Sequence, residues 1–155
     1  MFYNCTQLKK ILFGNINTTS LTNMESMFSG CTNLESIDLS KFTTNKIKSF
    51  YCVFLDCKNL KTINLGKMDT SSVTTLSRLF YHCEKLEYID ISSFNTSLVT
   101  IMNSVFFHCY SLKIIAFPDT LIYFEFPKFD NYLLLYLMIY PKFENLARYL
   151  PYTSK

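Results

Sequence analysis

Two dipeptides in this chain carry side chains that bind zinc, His82-Cys83 and His108-Cys109, and they lie 26 residues apart. A Cys₂His₂ set is a zinc donor set. The position before each cysteine argues for a different role. Across the chain it reads Asn4, Gly30, Asp56, His82, His108. These are the residue types that best tolerate positive φ. One left-handed position, repeated, explains all five. A second polar set is Asp38, Asn64 and Asp90, again at 26-residue spacing. A cation bridged through Asn64 is the metal-binding option for this trio, but no metal site is assigned. Nothing else offers reaction chemistry. There is no His-Glu-x-x-His, no Gly-x-Ser-x-Gly, no pair of carboxylates poised for acid–base work, and only three glycines to build a phosphate loop. The chain reads as a non-enzyme that needs no cofactor.

The elements that place these residues are repeats. Cys5, Cys31, Cys57, Cys83 and Cys109 recur every 26 residues without slippage. Three positions after each cysteine stands a leucine (Leu8, Leu34, Leu60, Leu86, Leu112), and six after it an isoleucine (Ile11, Ile37, Ile63, Ile89, Ile115). A threonine column (Thr18, Thr44, Thr70, Thr96) and a phenylalanine column (Phe28, Phe54, Phe80, Phe106) follow. Leu-x-x-Ile-x-Leu ends in the alternation of a short, half-buried strand. The second half spaces its apolar residues like one helical face, with the threonine placed to cap it. A strand plus a short helix cannot bury its own apolar face, but stacked copies can. The expected fold is therefore an α/β repeat solenoid, right-handed, with a short parallel sheet on one face and short helices on the other.

The repeat unit resembles the BspA-type leucine-rich repeats of bacterial and protist surface proteins. The resemblance is carried by stretches such as CTNLESIDLSKFTTNKIKSF and FNTSLVTIMNSVFFHCYSL, and it covers Met1 to about Pro118. FPDTL, residues 117–121, resembles a related sub-type. The resemblance implies a binding or adhesion surface at the cell surface or outside the cell, with a host, matrix or other cell-surface protein as partner. It brings no catalytic residues. The chain itself shows no signal peptide, so an intracellular interaction solenoid stays open, as does a vestigial or purely structural fragment.

On the strand face the exposed positions are Glu35, Ser36, Asp38, Lys61, Thr62, Asn64, Glu87, Tyr88 and Asp90, the candidate partner-binding residues. One column alternates in sign: Lys9, Glu35, Lys61, Glu87, Lys113. Neighbouring strands stand about 4.8 Å apart, so such a column neutralises itself and attracts no strongly charged ligand. In the next column Tyr88 and Ile114 are the exposed apolar contacts. The five repeated cysteines sit on an apolar face and read as buried free thiols. Cys52 falls outside their column, at a position expected near the polar surface. Asn4, Asn17 and Asn95 head Asn-x-Ser/Thr sequons, candidate glycosylation sites in a eukaryotic secretory pathway.

A net charge of +3 with no basic cluster gives no reason to expect nucleic acid. The domain expectation is a solenoid over 1–117 and a divergent cap or tail over 118–155, with a short amphipathic helix at Phe143–Leu150. The longest apolar run, Tyr132–Tyr140, is too short to span a membrane, and membrane contact by the tail is not expected. Met1 fills an internal column of the repeat, shared with Met27, Val53, Leu79 and Val105. The chain is therefore expected to be an N-terminally truncated fragment, able to self-associate through an uncapped first rung.

Overall fold

The computed structural model describes residues 1–121. The expected cap, the helix at Phe143–Leu150 and the tail's relation to membranes lie outside the described residues. Each repeat forms one rung, and the rungs starting at Cys31, Cys57, Cys83 and Cys109 each carry a three-residue strand: β1 Ser36–Asp38, β2 Thr62–Asn64, β3 Tyr88–Asp90 and β4 Ile114–Ala116. β1 pairs with β2 in parallel, Ser36 opposite Thr62, Ile37 opposite Ile63 and Asp38 opposite Asn64. β3 pairs with β4 in the same way, Tyr88 opposite Ile114. Lys10 makes a parallel bridge to Ser36, so residues of the first rung join the same face. The register is one repeat throughout, because identical apolar columns bury only when each rung sits squarely on the next.

The second half of the rung departs from expectation. Among the described residues there is no α-helix. The chain instead makes successive tight turns, with two left-handed columns in this half of the rung. One left-handed column is the expected one: Asn4, Gly30, Asp56, His82 and His108, at φ between 54° and 75°. The other is Ser26, Cys52, Arg78 and Ser104, at φ between 52° and 57°. It interrupts any helix in mid-course, since single residues visit this region but helices of L-residues do not propagate through it.

The backbone bonds show what replaces the helix. Alternate amides close i→i−3 turns, as in Met27 N–H to the Met24 carbonyl (3.0 Å) and Cys31 N–H to Phe28 (3.1 Å). The amides between them donate to the next rung: Ser26 to Tyr51 (3.0 Å), Phe28 to Val53 (3.0 Å) and Gly30 to Leu55 (2.8 Å). Phe54 donates to Leu79 and Phe80 to Val105 in the same fashion. Both sides of the stack are thus stitched rung to rung. The apolar spacing of three comes from turns of three residues rather than from a helical face. The threonines also stitch rungs instead of capping helices. Thr44 Oγ donates to the Asp69 carbonyl (2.8 Å), and Thr70 Oγ donates to Asn95 (3.1 Å) while accepting its amide (2.7 Å).

The core runs the length of the stack. Phe2, Phe28, Phe54, Phe80 and Phe106 form a continuous file of parallel rings, with centroids 5.4–5.6 Å apart and planes within 8° of each other. Each ring contact adds about 0.5–1.5 kcal/mol beyond the burial of its area. Beside this file run the cysteines, all free thiols. The thiols of Cys31, Cys57, Cys83 and Cys109 donate to the carbonyls of Phe2, Phe28, Phe54 and Phe80 at 2.9–3.3 Å. Cys52, expected near the polar surface, is buried at 5% exposure, although Arg78 with the same left-handed backbone is exposed; the difference lies in the side chain, a small apolar thiol against a long charged one.

Candidate functional site

The strand face is built by alternation. The central isoleucine of each strand points into the core, and its neighbours point out. Ile37 and Ile89 are buried, whereas Ile63 of β2 is only half-buried. The cause is a discontinuity between β2 and β3. The four strands form two separate two-stranded sheets, β1–β2 and β3–β4. A cleft of about 260 Å³ opens at the junction, lined by Lys61, Thr62, Ile63, Glu87 and Tyr88. Four of the five are candidate face residues from the sequence; the fifth, Ile63, belongs to the inward-pointing isoleucine column and becomes accessible at the parting of the sheets.

The charge column follows the same division. Lys61 pairs with Glu35 at 3.1 Å within β1–β2, and Lys113 with Glu87 at 2.7 Å within β3–β4. Each pair holds its glutamate below the usual carboxylate range through the lysine hydrogen bond. The expected continuous ladder therefore breaks into two pairs, and Lys61 and Glu87 face each other across the cleft with their primary partners on the far sides. Such exposed pairs add little stability but leave the cleft rim close to neutral. Tyr88 and Ile114 stand out at 49% and 43% exposure, as the sequence implied.

The Asp38–Asn64–Asp90 column is occupied by local bonds. Asp38 accepts the Ser40 amide (2.8 Å), Asn64 accepts the Gly66 amide (3.1 Å), and Asp90 accepts both the amide and hydroxyl of Ser92 (2.9 and 2.6 Å). Asn64 also donates directly to Asp38 at 3.2 Å. The serine hydroxyls and amides hold Asp38 and Asp90 below the ordinary aspartate range. These side chains fasten the turn that follows each strand, and the Asn64 amide links its rung to Asp38 on the rung before.

The sequon asparagines Asn17 and Asn95 fasten turns in the same manner, accepting the Thr19 and Ser97 amides at 3.0 Å. Asn4 lies against Gly30, where any added Cβ would meet its side-chain oxygen.

The Cys₂His₂ set does not assemble. Cys83 and Cys109 point into the core, where burial pushes the Cys83 thiol well up and the Cys109 thiol to about 12. The histidines lie outside the core, in an edge cluster that the sequence did not disclose. There Tyr81 stacks on Phe107 at 5.1 Å, His82 lies 4.5 Å from His108, and Tyr110 bonds His108. Only the 26-residue recurrence of aromatic and imidazole types at 81–82 and 107–108 signals it.

Short parallel strands at a fixed repeat, a Leu-x-x-Ile-x-Leu edge and apolar files shared between rungs define a leucine-rich-repeat protein. The family model for the BspA type leucine rich repeat region matches in six copies, over residues 1–93 and 25–154. The chain belongs to this family. No curated protein and no solved structure matches it.

Proposed function

We propose that this chain is a non-catalytic protein-binding solenoid of a cell-surface or extracellular adhesion protein, and that it engages its partner through the strand face at the β2–β3 cleft. The observation that supports this is the cleft itself, a concavity that brings an accessible isoleucine and an exposed tyrosine together on the strand face. Its 260 Å³ fall below the roughly 300–1,000 Å³ of small-molecule and cofactor sites. It suits one apolar side chain of a protein partner, with Thr62 and the paired charges as a polar rim. The surface location rests on membership of the BspA-type family.

The test begins with panning a displayed peptide library against the folded 155-residue chain. Selected peptides should carry an aromatic or aliphatic anchor. They should lose at least about tenfold in affinity on Tyr88→Ala, as a central tyrosine contact does, and on Thr62→Glu, which fills the cleft with charge. Binders indifferent to both substitutions would place recognition elsewhere.

A further inference from the structure

His82 and His108 occupy the same column on adjacent rungs, and their rings lie 4.5 Å apart with a 40° tilt. In each ring Nδ1 is already engaged. His82 Nδ1 meets Asp56 Oδ1 at 2.7 Å, and His108 Nδ1 meets the Tyr110 hydroxyl. A carboxylate on Nδ1 keeps the proton there and leaves Nε2 with a free lone pair, the arrangement that orients and strengthens a metal-binding imidazole. A tyrosine hydroxyl accepts as well as donates, so His108 can adopt the same tautomer. Both rings sit at the surface edge, with His82 and Asp56 only partly covered.

We propose that His82 and His108 together bind one borderline divalent transition-metal cation, such as Zn²⁺, Ni²⁺ or Cu²⁺, through their Nε2 atoms. Imidazole suits these ions. With metal–nitrogen bonds of about 2.0–2.1 Å, two nitrogens on a tetrahedral ion stand roughly 3.4 Å apart. Each ring centre lies about 1.1 Å behind its nitrogen, so two imidazoles sharing such an ion have centres roughly 5 Å apart, close to the 4.5 Å between these rings. The cysteines of the same rungs contribute nothing, since their thiols bond core carbonyls. No group of three or more His, Cys, Asp or Glu able to hold a metal gathers among the described residues. Water completes the coordination, and the site is open and of moderate affinity, unlike a closed structural zinc site. It is separate from the strand-face cleft, since the two share no residue.

The experiment is calorimetric titration of the untagged full chain with NiCl₂ and with ZnCl₂, alongside His82→Asn, His108→Asn, the double variant, Asp56→Asn and Cys83→Ala. Asparagine already occupies this left-handed column at Asn4, so the histidine variants keep the fold, which circular dichroism checks. The proposal expects one ion per chain. Affinity should fall at least about tenfold in either single histidine variant and about tenfold in Asp56→Asn, the effect of removing an orienting carboxylate. The double variant should not bind, and Cys83→Ala should bind as the parent does. The histidine Cε1–H resonances of both rings should shift together. Parent affinity no better than that of the double variant overturns the proposal. So does parent affinity retained in either single histidine variant, or binding that Cys83→Ala abolishes.

Discussion

Phe54→Ala is the substitution that most severely tests the ring file. Phe54 is 1% exposed and sits between Phe28 at 5.4 Å and Phe80 at 5.6 Å, both nearly parallel to it. Truncating a buried phenylalanine costs about 3–5 kcal/mol through lost transfer energy and the cavity left behind. Two stacked faces at about 0.5–1.5 kcal/mol each and a rigid, hydrogen-bonded stack that resists collapse put Phe54 at the upper end, about 4–5 kcal/mol. Phe2 is the control. It is half-buried and stacks on one parallel ring only, Phe28 at 5.5 Å. Its truncation should cost about 1–2 kcal/mol, one stacking contact plus partial burial. Domain stabilities are about 5–15 kcal/mol, so Phe54→Ala should shift the urea midpoint drastically or unfold the chain, and Phe2→Ala should not. Equilibrium urea unfolding followed by tyrosine fluorescence reads both. Equal losses for the two variants, or a smaller loss for Phe54→Ala, would refute the idea that stability accumulates from ring-to-ring contact along the stack.

Three further outcomes follow from the same geometry. Gly66 has φ +58°, and a Cβ there would lie 2.7 Å from Ser40 Cα, whereas Gly14, at φ +57°, has nothing within 4 Å. Gly66→Ala should therefore lower stability clearly more than Gly14→Ala, whose cost is the left-handed strain alone, about 1–2 kcal/mol. The folded state depresses the carboxylates of Asp38, Asp69, Asp90, Glu35 and Glu87. Their contribution is complete above the unfolded values near pH 4 and is lost as pH falls through the folded ones. The buried thiols of Cys31, Cys57, Cys83 and Cys109 are shifted upward. Stability should then also decline once pH rises past the unfolded thiol value near 8.5, giving a plateau in the urea midpoint that falls off on both sides. Under native conditions iodoacetamide should modify Cys5, the one half-buried cysteine, well before the other five, which should react only on unfolding; uniform labelling of all six would contradict their burial.

The repeat, the strand edge and the first left-handed column were legible because each is written in residue types that physics restricts. Leucine and isoleucine recur where the core needs them, and Gly, Asn, Asp or His stand where φ is positive. The second left-handed column was not legible, because Ser26, Cys52, Arg78 and Ser104 carry no such preference. Their backbone is held by bonds to the next rung, as from Cys52 N–H to the Ser77 carbonyl (3.1 Å). A three-residue apolar spacing then looked helical although the turns produce it. Alternation along the strands turns polar residues such as Asp38, Asn64 and Asp90 outward. The parting of β2 from β3, and with it the accessibility of Ile63, is a property of how two sheets meet and has no local signature. The edge cluster was hidden for a related reason, since its histidines were explained by backbone conformation alone while their rings remained free to assemble.

The proposed function places recognition on the strand face at the cleft between β2 and β3. The most direct measurement is an amide ¹H–¹⁵N correlation spectrum of the labelled chain titrated with a selected anchor peptide. The largest shifts should fall on Lys61, Thr62, Ile63, Glu87 and Tyr88, with Ser26 to Gly30 and their counterparts in the turns unmoved. Shifts concentrated in the turns, with the cleft residues unchanged, would contradict it.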